Sequence, residues 1–190
     1  MKIVLTAFEA FNGLDTNSSQ EVLAHLNTQY QTFLLPVSYE HSTKQITTLI
    51  RQEKPDLLIC LGQAGNTPKI RIERKAYNEA HASIPDNDGI LGYHWPLHMS
   101  GPKALSTKVP IDRWIKELEY LDFIISEDPG RYICNATYYH ALLNHPYTLF
   151  IHLPYYEGQV EGKPGLHLKI MVEKLETFLA FIQKQPLSCS

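Results

Sequence analysis

Short apolar runs alternate with longer amphipathic segments along most of the chain. Runs of the β type occur at 2–6, 33–37, 56–61, 123–126 and 148–153. Helical patterns occur at 18–26, 42–52, 112–119, 135–144 and 166–183. In the last of these, apolar residues recur every three or four positions, as in a helix that packs one face on a core. Strands that alternate with helices predict an α/β fold: a single-domain, three-layer α/β/α sandwich over residues 1–190, with a mostly parallel, mixed central sheet.

The predicted helices carry start and stop signals. Asn17 or Ser18, Ser42 and Asp112 precede helical patterns and are predicted to be N-caps, because their side chains can accept hydrogen bonds from unpaired backbone N–H groups. The sequence Lys54-Pro55 is predicted to end the second helix.

The run 57–61 is the most apolar segment, and it predicts a strand that is buried on both faces. Sheets with such strands place their ligands at the carboxyl ends of the strands. This rule directs attention to Gln63, just after that strand, and to His152, near the end of the strand 148–153.

Two other stretches are less regular. Residues 70–77 alternate between apolar and polar positions and predict one strand. Residues 81–103 contain four prolines and glycines between Pro85 and Pro96, and further ones at Gly101 and Pro102. That density predicts a long irregular loop, and loops of this length in compact domains are usually functional or disordered.

Composition narrows the classes of protein. The 190 residues are 44% apolar and 19% charged, with a net charge of −3 and no cluster of Lys and Arg. A basic stripe for nucleic acid is therefore absent from the sequence. No segment has the ~18 apolar residues that a membrane helix needs. The first apolar run is too short for a signal peptide and is followed by Glu9, so we expect a cytoplasmic protein.

The cysteines do not form a recognisable framework. Cys60, Cys134 and Cys189 are odd in number and irregular in spacing, which is not typical of disulfide-bonded proteins. The chain has no Cys-x-x-Cys or His-Glu-x-x-His motif, so we expect neither a metal site nor another cofactor.

Cys134 is the candidate nucleophile. It comes just before a predicted helix, where the macrodipole and unpaired N–H groups favour the thiolate and can receive an oxyanion. The alternative is a buried, inert cysteine. Cys60 lies inside an apolar strand and is interpreted as core, and Cys189 lies in the C-terminal tail.

Two further residues could complete a catalytic set. His152 is the only polar residue in 149–153, and it is either a satisfied core histidine or a positioned base. Glu73 could orient such an imidazole. Its alternative is a surface carboxylate that pairs with Arg71 or Arg74.

Several motifs occur together in a fixed order. They are Leu61-Gly62-Gln63-Ala64-Gly65, Ile72-Glu73-Arg74, Ile84-Pro85-Asp86-Asn87, Tyr132-Ile133-Cys134-Asn135 and Phe150-Ile151-His152-Leu153-Pro154-Tyr155. In these motifs the chain resembles, from residue 2 to about residue 180, the pyroglutamyl peptidase I (pyrrolidone-carboxylate peptidase) family. Members of that family are cysteine peptidases that remove N-terminal pyroglutamate from peptides.

The resemblance implies roles for specific residues. Cys134 would be the nucleophile, His152 the general base and Glu73 the residue that orients the base. Asp86 and Asn135 would support the site. The pocket for the pyroglutamyl ring would map to Phe8, Phe11, Gln63, Ile84, Tyr132 and Ile133. Aromatic and aliphatic walls suit the faces of that small, uncharged ring. The expected partners are N-terminally pyroglutamyl peptides.

Some positions depart from the family pattern. Ala7, Ala10 and Asn12 replace Gly, Pro and Gly near the start, and an alanine at a position of positive φ would be strained. Ser83 replaces a family arginine. These changes leave two alternatives: a related cysteine amidase with a shifted specificity, and an inactive peptide-binding homologue. The family often associates, and the apolar residues of 90–99 are the candidate contact for a homo-oligomer (Ile90, Leu91, Trp95, Leu97).

Overall fold

The structure is a computed structural model, and it describes residues 1–27, 30–65 and 67–187. Cys189, which was assigned to the tail, lies outside these residues. The described strands are β1 Ile3–Phe8, β2 Gln31–Leu35, β3 Leu57–Gln63, β4 Arg71–Glu73, β5 Lys75–Tyr77, β6 Ala80–His81, β7 Tyr93–Trp95, β8 Ala104–Ser106, β9 Ile124–Ser126, β10 Thr148–Leu153, β11 Tyr155–Tyr156 and β12 Gly165–Leu166. The described α-helices are α1 Ser18–His25, α2 Tyr39–Glu53, α3 Ile111–Glu117, α4 Ile133–Asn144 and α5 Leu168–Ile182. In the described part of the chain, no helix is both long enough and apolar enough to cross a membrane.

Six strands form the central sheet in the order β2-β1-β3-β10-β4-β9. Neighbouring strands run parallel, with β4 antiparallel to β10 as the exception. The predicted mixed, mostly parallel sheet is therefore confirmed.

Alternate residues of β3 pack into two different cores. Leu57, Ile59 and Leu61 lie in one core with residues of α1, α3 and α5. Leu58 and Cys60 lie in the other with residues of α2 and α4. Because successive side chains of a strand point to opposite faces, this pattern builds helices onto both sides of the sheet. The three-layer α/β/α architecture follows.

Two of the predicted N-caps are wrong, as the observed first residues of the helices show. Asn17 caps α1 as predicted, because its side chain accepts from the backbone N–H of Ser19. Ser42 does not cap α2. That helix begins one turn earlier, where the Ser38 side chain accepts from the N–H of His41 at 3.0 Å. Ser42 instead donates its hydroxyl to the Ser38 carbonyl at 2.6 Å, inside the helix.

Asp112 is not a cap either. The helix α3 follows Pro110 without a side-chain cap, and the Asp112 carboxylate binds the guanidinium of Arg74 at 2.6 Å and 2.8 Å. A partner 38 residues away is invisible to a local capping pattern. The helix α4 also begins two residues before its predicted start, so Cys134 lies within its first turn.

The segment 70–77 is two strands, and the prediction of one strand was wrong. The chain breaks at Arg74, so that β4 joins the central sheet while β5 leaves it and pairs with β8. The predicted irregular loop 81–103 is also partly wrong, because β7 lies within it and pairs with β6. Both short ribbons depend on partners that are distant in sequence.

The apolar residues of 90–99 divide into two pairs. Ile90 and Leu91 are about half exposed, at 49% and 47%. Trp95 and Leu97 are half-buried and pack against the core that α2 and α4 share. The contact between copies of the chain therefore rests on Ile90 and Leu91 and stays a prediction.

Candidate active site

His152 lies on the face of the sheet that α2 and α4 cover. Its neighbour two positions earlier, Phe150, belongs to the core on that face. Residues two apart on a strand share a face, so the imidazole points to the same side. In the register of the parallel pair β3–β10, His152 is opposite Gly62. The ring is buried, near the carboxyl end of its strand as the sequence predicted.

Glu73 contacts that imidazole directly. In the antiparallel pair β4–β10 it is opposite Phe150, which places its side chain diagonally beside His152. Oε1 of Glu73 lies 2.7 Å from Nδ1 of His152, and the carboxylate is fully buried. The surface-carboxylate alternative is therefore wrong. Arg71 remains close, with Nε 3.8 Å from Oε1, but Arg74 binds Asp112 and Glu127 instead.

The buried carboxylate determines the tautomer of His152. An ionised carboxylate only accepts hydrogen bonds, so Nδ1 must carry the proton and donate it to Glu73. The other ring nitrogen, Nε2, then keeps its lone pair and can accept a proton. In the described residues the second carboxylate oxygen, Oε2, has no hydrogen-bond partner. The pair is thus an oriented base that is buried in the protein.

The Cys134 sulfur packs against the sheet at Gly62, where the absence of a side chain leaves room for it. A Cβ atom built on Gly62 would lie 2.9 Å from the Cys134 Sγ and 2.7 Å from the ring of Phe150. Real Cβ atoms do not come so close, so a side chain at position 62 would displace one of these groups. Gly62 is also the residue opposite His152, and paired strands lie about 4.8 Å apart. The thiol therefore lies over the main chain next to the imidazole.

The thiol of Cys134 has a raised pKa in this environment. Burial and then the negative charge of Glu73 raise the pKa of Cys134 to about 12, although its backbone hydrogen bond and Arg71 act in the opposite direction. The helix N-terminus was expected to favour the thiolate of Cys134, and this burial opposes that effect. A macrodipole contributes typically 0.3–1 kcal/mol, which burial outweighs here. A base is needed to remove the proton during attack.

The first turn of α4 offers hydrogen-bond donors beside the thiol. Tyr132 is the N-cap and makes no side-chain capping bond. The first intrahelical donor is the N–H of Ala136, which binds the Tyr132 carbonyl at 3.1 Å. The N–H groups of Cys134 and Asn135 precede it and point out of the helix end. Such groups suit a developing negative charge on oxygen.

A small cavity opens beside Cys134. Its volume is about 30 Å³, far below the roughly 300–1,000 Å³ of sites for drug-sized ligands. It is lined by Phe8, Phe11, Asn17, Val37, Gln63, Tyr132, Ile133 and Cys134. Its walls are mostly apolar, and the rings of Phe11 and Tyr132 lie 5.9 Å apart. Apolar and aromatic walls suit the faces of a small uncharged ring better than a charged side chain.

Five of the six predicted pocket residues line this cavity. The exception is Ile84, which is half-buried and is not among the lining residues of the described chain. Asn17 and Val37 line the cavity although sequence reasoning gave them no such role. Asn17 was identified only as a helix cap. Its place directly after the loop that carries Phe11 was the available signal.

Gln63 presents an oriented amide to the cavity. Its Oε1 accepts from the backbone N–H of Ser18 at 2.7 Å and from Nε2 of Gln159, also at 2.7 Å. Its Nε2 has no partner among the described residues, although the side chain is only 7% exposed. A buried donor without a partner costs free energy unless a ligand satisfies it.

Asp86 and Asn135 support the site from outside the cavity. Oδ1 of Asp86 accepts from the N–H groups of Asp88 and Ile90, and Oδ2 accepts from the N–H of Tyr39 at the start of α2. The Asn135 side chain binds the backbone of 77–79 on both its donor and acceptor sides. Neither residue lines the cavity. Each joins a loop to a helix.

The loop 8–13 avoids the strain expected at Ala7. Ala7 lies within β1, and its φ is not positive. The left-handed position is Asn12, at φ 54°, followed by Gly13 at φ 71°. Asparagine tolerates that conformation better than most residues do. The replacement of glycines in this loop is therefore compatible with the pocket.

The whole chain is similar to one protein family. The family model "Pyroglutamyl peptidase" matches residues 1–184. A pyrrolidone-carboxylate peptidase of Thermoanaerobacter sp. (strain X514) is 33% identical over 97% of this chain and 99% of its own length. Pyrrolidone-carboxylate peptidase 1 of Caldanaerobacter subterraneus subsp. tengcongensis is 34% identical over 97% of this chain and 98% of its own length.

Solved structures share the fold. The pyroglutamyl peptidase I of Bacillus amyloliquefaciens is 26% identical and aligns over 99% of this chain and 97% of its own chain, with a TM-score of 0.88. The pyrrolidone carboxyl peptidase of Fervidobacterium islandicum AW-1 is 30% identical and aligns over 96% and 98%, with a TM-score of 0.87.

Proposed function

Since this chain belongs to the pyroglutamyl peptidase family, we propose that Cys134, His152 and Glu73 carry out its reaction. The protein is a cysteine peptidase that removes pyroglutamate from the N-termini of peptides. The observation that carries the assignment is the buried 2.7 Å contact between Glu73 and His152. The Cys134 thiol packs against Gly62, the residue opposite His152 on the adjacent strand. An oriented base beside a nucleophile is the arrangement that nucleophilic catalysis requires.

The first half of the reaction forms an acyl-enzyme. Nε2 of His152 takes the proton of the Cys134 thiol as Sγ attacks the carbonyl carbon of the pyroglutamyl residue. The carbonyl oxygen becomes an oxyanion and accepts hydrogen bonds from the first-turn N–H groups of α4. The carbon–nitrogen bond then breaks, His152 gives its proton to the leaving amine, and a thioester remains.

The second half releases pyroglutamate. Water attacks the thioester while His152 takes one of its protons, and the carbon–sulfur bond breaks. The proton returns to the Cys134 sulfur, and free pyroglutamate leaves. Glu73 stabilises the imidazolium in both halves, because its charge lies 2.7 Å from Nδ1.

The residues of the pocket recognise the lactam ring of the pyroglutamyl residue. The rings of Phe8, Phe11 and Tyr132 contact its faces, and Ile133 closes the apolar wall. The unpaired Nε2 of Gln63 donates to the lactam carbonyl, which an unmodified proline lacks. Among the residues that the structure describes, the pocket lining holds no Asp or Glu, so a free α-ammonium group would enter it without a counter-charge.

The decisive experiment measures hydrolysis of a fluorogenic pyroglutamyl amide by the wild type and by Cys134→Ala. We expect the substitution to lower kcat by roughly 10³-fold or more, because it removes the atom that forms the thioester. Cys60→Ala is the matched control, since Cys60 is fully buried in the core and should affect stability rather than turnover.

Two other results would favour the alternative functions, and a third would contradict the assigned nucleophile. Rapid alkylation of Cys134 together with hydrolysis of other N-blocked amides in preference to pyroglutamyl amides would favour the related amidase. A protein that hydrolyses none of them and whose Cys134 resists alkylation would be a binding homologue. Retained activity in Cys134→Ala would contradict the assigned nucleophile.

A further inference from the structure

Gln159 lies outside the catalytic set and outside the cavity lining, yet it binds the amide that reads the substrate. Its Nε2 donates to Oε1 of Gln63 at 2.7 Å and to the Thr16 carbonyl at 3.2 Å. Its own Oε1 accepts from the backbone N–H of Tyr156 at 3.2 Å. The residue is half-buried in the short connection between β11 and β12.

Two backbone N–H groups determine how both amides are turned. An N–H can only donate, so the atom of Gln63 that faces Ser18 and the atom of Gln159 that faces Tyr156 must both be oxygens. The nitrogen of Gln159 is then directed at Gln63, and the nitrogen of Gln63 is left for the cavity. The orientation of both amides therefore follows from the hydrogen-bond network.

The network also occupies both hydrogen-bond acceptor positions of the Gln63 side-chain oxygen. An amide oxygen has two lone pairs, and here Ser18 and Gln159 occupy both. Only the two N–H bonds of Nε2 remain, and that atom is buried without a partner in the described residues. Without Gln159, the oxygen would keep one free lone pair, and the N–H of Ser18 alone would hold the orientation of the amide.

We propose that Gln159 is a positioning residue for substrate specificity: it saturates the oxygen of Gln63 and so commits Gln63 to donate a hydrogen bond to the lactam carbonyl. This inference rests on the proposed pyroglutamyl pocket and assigns a role within it. Thr16 and Tyr156 hold Gln159 in place, and their hydroxyl groups lie 2.7 Å apart.

The test uses the full chain with Gln159→Met, Gln159→Glu and Gln63→Met. Methionine keeps the length but removes all three hydrogen bonds of the Gln159 side chain, whereas glutamate can still accept from Tyr156 and cannot donate to Gln63. We expect Gln159→Met to raise KM for the pyroglutamyl amide about five- to tenfold, with kcat changed less than about twofold. Gln159→Glu should raise KM further, because its carboxylate oxygen faces the Gln63 oxygen.

Three readouts separate positioning from a general structural effect. The double variant Gln63→Met/Gln159→Met should have the KM of Gln63→Met alone, because Gln159 acts only through Gln63. Protection of Cys134 from iodoacetamide by 2-pyrrolidone, the bare lactam, should weaken by the same factor as KM rises. Gln183→Met is the control, since that surface amide donates only to the Met1 carbonyl among the described contacts.

The outcomes are distinguishable. If Gln63→Met raises KM and Gln159→Met leaves KM and lactam protection within about twofold of wild type, the inference is overturned and the pocket stands. Additive effects of the two substitutions, or an equal fall in kcat and alkylation rate in Gln159→Met, would also overturn it. A wild type that neither hydrolyses the amide nor gains protection from 2-pyrrolidone would refute the proposed function itself.

Discussion

The two halves of the site are held in different ways. Glu73, Gly62 and His152 lie on paired strands of the central sheet, and their relative positions follow from strand register. Phe11 and Tyr132 precede helices in loops, and those loops are held by side chains that bind backbone groups. Asn87, for example, donates to the Ala10 carbonyl at 3.0 Å, and Tyr132 donates to the Pro85 carbonyl at 2.9 Å.

This difference separates chemistry from recognition. The groups that move protons are buried in the most continuous hydrogen-bonded part of the molecule, where small displacements are costly. Phe11 and Tyr132, which contact the ring from loops, depend on a few separate hydrogen bonds, each worth about 1 kcal/mol. Substitutions at Glu73, Gly62 and His152 should therefore lower kcat, and substitutions in these loops should mainly change KM and stability.

The largest effect on the sheet side is expected from Glu73→Gln. The amide cannot stabilise the imidazolium and can favour the wrong tautomer of His152, so kcat should fall roughly 10²- to 10⁴-fold. Turnover of the fluorogenic amide at saturation measures this. Glu127→Gln is the matched control, because that carboxylate is exposed and pairs with Arg74 and Lys75.

The same variant, Glu73→Gln, should change two rates in opposite directions: alkylation of Cys134 should become faster while turnover becomes slower. Burial and the charge of Glu73 hold the pKa of Cys134 at about 12, so iodoacetamide alkylation of the wild type should rise about tenfold per pH unit from pH 7 to pH 10. Removal of the charge lowers that pKa and should speed alkylation at each pH while turnover falls. A wild-type alkylation rate that is constant over this range would contradict the protonated thiol.

Gly62→Ala should have the next largest effect. The new Cβ would collide with Phe150 and with the Cys134 sulfur. We expect kcat/KM to fall about 10- to 100-fold, because the thiol is displaced from the imidazole, and unfolding free energy to fall about 1–3 kcal/mol. Kinetics and urea unfolding measure the two effects. Unchanged kinetics would mean that the sulfur does not sit against this residue during catalysis.

The smallest effect on turnover is expected from Asp86→Asn, on the loop side. The amide nitrogen would face an N–H group that now binds a carboxylate oxygen, either at Tyr39 or at Asp88 and Ile90. Unfolding free energy should fall by about 1–3 kcal/mol and KM should rise a few-fold, with kcat nearly unchanged. A large fall in kcat with normal stability would place Asp86 among the catalytic groups.

Sequence patterns predicted the sheet well because its strands have strong local signals. The apolar run of β3 and the strand β10 were predicted nearly to their ends. Glu73 was ambiguous for a physical reason: neighbouring arginines offer it an ordinary surface pairing, and only the register of β4 against β10 buries it beside His152. Family motifs, rather than periodicity, indicated the correct alternative.

Other features could not be read from local pattern. Ser38 and Ser42 are both acceptable caps four residues apart, and the choice depends on where the chain leaves the preceding strand. The sequence indicates that Cys134 lies at a helix end, but the burial of its thiol and the nearby charge of Glu73, which raise its pKa, depend on the tertiary fold. The contact of Gln159 with Gln63 joins residues 96 positions apart.

The two-sided packing of the central strands has a consequence for how this gene can change in length. Residues 58, 60 and 62 of β3 and 150 and 152 of β10 all face one layer, so the catalytic face depends on an odd–even count along each strand. Loss or gain of one codon within either strand would exchange the two layers and turn the imidazole away from the thiol. Length variation among descendants should therefore accumulate in the connections between elements and spare these two strands.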